Sequence, residues 1–309
     1  MNASDLKYQY ADSETVEESL TFSCVEHEAP AAGVVNAMTC DVEDYYQVSA
    51  FENTIDRDSW ARQESRLERN MDVLLRRFDE ADTKVTFFIL GWIAEQFPTV
   101  IRSLADAGHE IASHGYDHRR VREQTPDAFF EDIKKTKSIL EDVTGQQVKG
   151  YRAPSFSIAE QAAWSHPLLE RAGYVYSSSI YPVSHDHYGM PDAPRTPFTV
   201  NGGRLLEIPM STIRIGAKNL PCSGGGFFRL LPVRYFKYAI KKLNGNDRQP
   251  LVFYFHPWEI DPDQPRVPGI SLKTRFRHYV NLRYFEPRLV EILKAFKWGR
   301  MDDIYLGKT

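Results

Sequence analysis

A chain of 309 residues, 42% hydrophobic and 26% charged, has the composition of an ordinary folded protein, long enough for one large α/β barrel or two average domains. Its net charge of −4 gives no electrostatic footprint for nucleic acid, and no stretch of about 18 consecutive apolar residues offers a membrane span. Cys24, Cys40 and Cys222 are an odd set without CxxC spacing, which argues against a disulfide framework or a thiolate metal site and points to a reducing, cytoplasmic compartment.

Residues 1–33 are acid-rich, with Lys7 as the one basic side chain, and lack an apolar core, so they read as a solvated, mobile acidic tail before a fold that begins near Val34. Val34 to Cys40 is a buried strand by pattern, and the acids Asp41, Glu43 and Asp44 follow its end. Arg57 to Glu80 has helical spacing, with Trp60, Leu67, Met71, Leu74 and Phe78 on one face. Val85 to Leu90 is a second strand, Trp92 to Ala107 a helix capped by Gly108, and His109 to Ala112 a short strand running into His114. Thr125-Pro126 opens a helix ending before Gly145, and Val148 to Tyr151 delivers Arg152. A helix over 159–172 and a strand over 174–180 come next, followed by an irregular stretch over 182–203. Two short strands occupy 205–209 and 211–215.

The glycines of Ser223-Gly224-Gly225-Gly226 lack the Lys-Ser/Thr of a phosphate loop and read as a tight turn or a close backbone approach. A helix at 232–243 precedes the most apolar strand, Leu251 to Phe255, which ends in His256-Pro257-Trp258-Glu259. A helix at 284–296 and a closing strand or turn at 301–305 complete the chain.

Chemistry enters with His114 and His118. Two imidazoles four residues apart can turn toward one ion if the segment is helical or tightly turned, and a carboxylate from elsewhere supplies a third ligand of an open site. Asp41 with Glu43, then His114, Arg152 and His256, follow four different predicted strands. Strand C-terminal ends converge on one face of a parallel barrel, so this placement favours a barrel over a doubly wound sheet.

These residues resemble the polysaccharide deacetylase (NodB-homology) family, carbohydrate esterase family four. The likeness rests on Thr39-Cys40-Asp41-Val42-Glu43-Asp44, Ser113-His114-Gly115-Tyr116-Asp117-His118, Gly150-Tyr151-Arg152-Ala153-Pro154-Ser155, 176–182 and Phe255-His256-Pro257-Trp258, in the family's order. It is greatest to a cytoplasmic subgroup that accompanies exopolysaccharide loci linked to exosortases and carries an extra C-terminal segment. The resemblance implies a distorted parallel (β/α) barrel of about seven strands over 34–260, with an extension over 185–309 that overlaps and completes it. It also implies metal-dependent hydrolysis of a non-peptide amide on an N-acetylated glycan, with a divalent ion, zinc first and cobalt, manganese or iron as alternatives.

By the family pattern Asp41 is the general base, paired with Arg152, and His256 is the general acid. His114, His118 and one carboxylate hold the metal. The usual adjacent Asp-Asp is replaced here, so that carboxylate is Glu43 or Asp44; Glu43 is preferred because alternate residues of an extended segment share a face with Asp41. Ser177 stands where many members carry Asp, which leaves the partner of His256 open. Tyr45, Tyr46, Trp92 and Trp258 are candidates for stacking on a sugar, and His185-Asp186-His187-Tyr188 for a loop lining the substrate. The competing activities are an allantoinase-like hydrolase of a small ureide or cyclic amide and a non-catalytic carbohydrate-binding scaffold.

Overall fold

The computed structural model describes residues 20–25, 33–185 and 188–307. Twelve strands are present among them: β1 (Phe22–Cys24), β2 (Asn36–Val42), β3 (Thr86–Ile89), β4 (Glu110–Ser113), β5 (Gly150–Tyr151), β6 (Tyr176–Ser177), β7 (Phe198–Val200), β8 (Leu206–Glu207), β9 (Thr212–Ile215), β10 (Lys218–Pro221), β11 (Val252–Phe255) and β12 (Trp298–Gly299). The helices are α1 (Leu67–Glu80), α2 (Gly91–Gln96), α3 (Pro98–Asp106), α4 (Pro126–Thr144), α5 (Ser165–Arg171), α6 (Gly225–Leu230), α7 (Val233–Lys242), α8 (Leu272–Tyr279), α9 (Phe285–Ala295) and α10 (Met301–Tyr305).

Seven strands run parallel in the order β11-β2-β3-β4-β5-β6-β8, giving the expected α/β sheet with helical crossovers. Among the described residues no backbone ladder links β8 back to β11, so the barrel is open there. Hydroxyls help span the gap: Ser211 Oγ accepts the Val252 N–H at 2.8 Å and Ser223 Oγ the Tyr254 N–H at 3.3 Å.

The central strand β2 is buried along its whole length, as a parallel strand covered on both faces is, with Asn36, Thr39 and Asp41 as its buried polar residues. Met38, Cys40 and Val42 pack outward into the large core with α1 residues such as Leu74 and Phe78. Ala37 joins the smaller inner core with Phe88, Ala112, Tyr176 and Tyr254. Thr39 and Asp41 share that inner face by alternation, and Arg152 lies 4.0 Å from the Phe88 ring centroid.

Several expectations need correction. Residues 22–24 pair antiparallel with 198–200, so β1 lies within the stretch expected to be a solvated tail and β7 within the one expected to be irregular; residues 1–19 and 26–32 lie outside the described residues. A sequence window short of long apolar runs hides a strand whose partners, Val200, Thr199 and Phe198, lie far along the chain. The helix expected over 57–80 is a 3-10 turn at Arg57–Arg62 followed by α1, because the Asp44 carboxylate captures the backbone N–H of Arg66 and breaks the run. The helix expected over 92–107 divides into α2 and α3 at Phe97, where Pro98 disfavours helical backbone in the residue before it. Residues 301–305 are helical rather than a closing strand, and the closing pair to β2 comes from Trp298–Gly299.

Candidate active site and metal centre

The C-terminal ends of the parallel strands open into a cavity of about 550 Å³ lined by Asp41, Glu43, His114, His118 and His256, with Ser155, Phe156, Tyr188, Tyr254 and Trp258 around them. His114 follows β4 directly and His118 closes a tight turn rather than a helix: Gly115 has φ 74° and His118 itself φ 59°. Arg57 clamps the turn by donating to the carbonyl of Asp117 at 2.8 Å, and Asp132 of α4 accepts the Tyr116 N–H. A left-handed backbone at a histidine is uncommon and costs about 1 kcal/mol or more, a strain that the clamps hold in place.

Glu43, His114 and His118 place one ligand atom each within 4.8 Å of one another, all buried. Burial pushes His114 down to about 4 and His118 well below the ordinary histidine range, so both imidazoles are neutral with lone pairs to give. The His114 Nδ1 lies 2.9 Å from the Arg152 carbonyl, an acceptor only, so Nδ1 carries the proton and Nε2 keeps its lone pair. Glu43 Oε2 and His118 Nε2 lie 3.0 Å apart, yet that buried oxygen accepts no hydrogen bond. Burial, opposed by His256, lifts the Glu43 carboxyl to about 7. An unsatisfied carboxylate oxygen beside two neutral imidazoles fits a divalent cation, whose charge would hold Glu43 ionised.

Asp44, the other candidate carboxylate, is engaged elsewhere. Its Oδ1 accepts the Tyr45 N–H at 2.8 Å, and its Oδ2 accepts Ser65 Oγ–H and Arg66 N–H, each at 2.8 Å.

Asp41 Oδ1 accepts from Arg152 Nη1 at 2.5 Å, and the same nitrogen donates to Thr39 Oγ1 at 2.8 Å. Arg152 has no solvent exposure; its Nε and Nη2 donate to the carbonyl and hydroxyl of Ser178. Across the cavity His256 Nε2 lies 3.4 Å from Glu43 Oε1, and its Nδ1 lies 3.1 Å from Glu259 Oε2. Burial alone would lower His256, but Glu43 and Glu259 raise it to about 9.

Sequence reasoning missed Glu259 and Arg229 as partners of this histidine. Glu259 is held by Arg229 Nε at 2.8 Å, and Arg229 is fixed in turn by the carbonyls of His278, Val280 and Arg277. Burial raises the Glu259 carboxyl, but Arg229 and His256 outweigh it and hold it below the ordinary range. The His-Pro-Trp-Glu spacing, with Glu259 also accepting the His256 N–H, is the one sequence signal that could have found it. Arg229 has no local signal. Gly225, inside the glycine run, is a close approach: a Cβ there would lie 1.7 Å from Glu259 Oε2. Ser177 donates to Ser179, so the triple serine serves the Arg152 side, and His256 takes its carboxylate from its own strand end.

Of the aromatic candidates, Trp258 lines the cavity, stacked on His256 at 5.3 Å. Tyr46 is buried against Trp60 and Tyr45 against Tyr46, and Trp92 meets Trp60 edge-on, so these three serve packing. Tyr188 lines the cavity with His185 stacked on it at 4.0 Å; Asp186 and His187 lie outside the described residues.

The profile of the polysaccharide deacetylase family matches residues 54–176. That part of the chain is a polysaccharide deacetylase domain by sequence. A second profile, a domain of unknown function designated DUF3473, matches 178–306. The polysaccharide deacetylase match holds His114, His118 and Arg152; Asp41 and Glu43 precede it, and Arg229, His256 and Glu259 fall in the second match. One cavity is thus built from three parts of the sequence.

Similar proteins include the peptidoglycan deacetylase-like protein FGM2 of Gibberella zeae, 36% identical over 97 residues covering 31% of this chain and 28% of that one. A peptidoglycan-N-acetylglucosamine deacetylase of Bacillus cereus is 34% identical over 93 residues, covering 30% and 34%. The matched part spans about a third of the length of these relatives. The fold is shared with the crystal structure of a candidate polysaccharide deacetylase from Mycobacterium smegmatis, at 22% identity and a TM-score of 0.56 over 90% of this chain and 89% of that one.

Proposed function

We propose that this protein is a metal-dependent N-deacetylase acting on N-acetylated sugar units of a polysaccharide or its precursor. The observation that carries the reading is the arrangement of three sets of groups around one cavity: Asp41 clamped by Arg152, His256 backed by Glu259, and the buried Glu43, His114 and His118 cluster. Peptidoglycan-N-acetylglucosamine deacetylase is the name of one similar protein, and an N-acetyl amide is the bond these groups suit.

Glu43, His114 and His118 would hold a divalent ion, zinc by preference for this donor set, with cobalt, manganese or iron as alternatives. Bound there, the ion would supply Lewis-acid chemistry, acidifying a water and polarising the acetyl carbonyl. Asp41 removes the proton from the attacking water, and Arg152 keeps the carboxylate oriented for it. His256, raised to about 9, carries a proton at neutral pH and delivers it from Nε2 to the leaving amine nitrogen. Glu259 on Nδ1 fixes the ring so that Nε2 faces the cavity. The products are acetate and a free amino sugar. Ureide hydrolysis is not favoured, because the similar proteins are named for N-acetylglucosamine and peptidoglycan. A binding-only role leaves this full set of groups without a task.

Acetate release from N-acetylglucosamine oligomers, measured together with bound metal, tests the reading. Acetate formed only by the metal-loaded protein is the expected result. Turnover of a ureide without acetate, or sugar binding without hydrolysis of any amide, overturns it.

A further inference from the structure

One wall of the cavity is formed by α8, which contributes Thr274, Arg277 and His278. The opposite side of that helix is unusual. Leu272 and Phe276 are 83% and 60% exposed, the two most exposed large hydrophobic side chains among the described residues. At about 100° per residue they stack on one face, with Lys273 and Arg275 on its two flanks and the buried His278 behind. The helix is firmly started, since Ser271 Oγ accepts the Thr274 N–H at 3.1 Å, so the apolar pair is presented on ordered backbone.

Charge points the same way. Residues 264–285 contain Arg266, Lys273, Arg275, Arg277 and Arg283 and no acidic residue, in a chain whose net charge is −4. An apolar ridge bordered by basic side chains is the pattern of a segment that lies in the interface of an anionic bilayer, apolar side chains reaching the acyl boundary and basic ones meeting headgroup phosphates. A soluble anionic glycan would satisfy the charges but leave Leu272 and Phe276 in water. No helix among the described residues is long and apolar enough to cross a membrane, so contact through this ridge would be peripheral.

We infer that α8 docks the protein on an anionic lipid surface through Leu272 and Phe276, flanked by Lys273 and Arg275. Docking there sets the cavity wall beside the bilayer and, on the deacetylase reading, brings the site to glycan carried at that surface.

The test is co-sedimentation of the full chain with vesicles of equimolar phosphatidylcholine and phosphatidylglycerol, and with pure phosphatidylcholine. The expected result is binding to the anionic vesicles that weakens about tenfold in the Leu272→Ser/Phe276→Ser variant and falls with salt. Acetate release by that variant from soluble oligomers should be unchanged, because neither side chain lines the cavity. Undiminished vesicle binding by the variant overturns the inference, as does equal binding to neutral vesicles or none to anionic ones. A wild-type dimer that becomes monomeric in the variant, with no vesicle binding, would reassign the ridge to a second copy of the chain. Sedimentation does not depend on turnover, so failure of docking and failure of the deacetylase reading are separately visible.

Discussion

Arg152 reaches Asp41 at 2.5 Å across the inner face of the sheet, two side chains 111 residues apart in sequence joined where neither meets solvent appreciably. That contact gives Asp41 a fixed direction and a local positive charge, while Glu43 Oε2 beside the two imidazoles accepts no hydrogen bond. Asp41→Asn should therefore cut turnover by about a thousandfold and leave bound metal at full stoichiometry. Acetate release and elemental analysis on the same preparation check this; loss of the metal would mean that base and ligand have been exchanged.

Glu43 and Asp44 are adjacent but should fail differently. Glu43→Ala, like His114→Ala, should strip the ion at low metal supply with little effect on the apo fold. Asp44→Ala removes the acceptor for three donors around the start of α1, so it should cost about 1–3 kcal/mol in urea denaturation and still bind metal. Metal loss from the Asp44 variant at a pH where it is folded would reverse the assignment.

Glu259 is a positioning residue, acting on substrate only through His256. Glu259→Gln should lower kcat about tenfold or more with KM nearly unchanged, and Glu259→Asp should recover part of the loss. On the proposed mechanism activity requires protonated His256, so it declines as pH rises through the titration of that imidazole; without the Glu259 charge, which helps raise it, the decline should begin at lower pH. Gly225→Ala should reproduce the effect, since its Cβ collides with the Glu259 carboxylate. A KM increase with kcat and pH profile intact would reduce Glu259 to packing.

His109 supplies a stability prediction away from the site. Its buried Nδ1 accepts the Val85 N–H, and burial, helped by Lys84 and Arg300, depresses it to about 4. A folded-state value below the ordinary 6.5 means that the unfolded chain binds more protons between those limits. Stability is then fully present above pH 6.5 and falls by roughly 3 kcal/mol as pH drops to 4. Urea midpoints across that window should fall less steeply for His109→Gln than for the unaltered protein, whatever the variant's loss at pH 7; equal slopes would exclude His109 as the titrating group.

Much of this protein is legible in one dimension. Alternating apolar runs and helical faces mark β2, β3, β4, β11 and α4 because parallel strands are buried on both sides and helices on one, and those patterns depend on local spacing. The placement of Asp41, His114, Arg152 and His256 at the ends of different strands similarly predicts a shared face, since every parallel strand end points the same way.

Tertiary structure decided what depends on partners remote in sequence. Asp44 rather than Glu43 was drawn off to cap the chain because Ser65 and Arg66 arrive beside it, and no property of the acidic cluster alone foretells that. Arg229 meets Glu259 across 30 residues, and β1 finds β7 across a longer gap still. Hydrogen bonds and ion pairs act over about 3 Å, so the sequence determined which groups are present and on which strand ends, and the fold alone decided which of them touch.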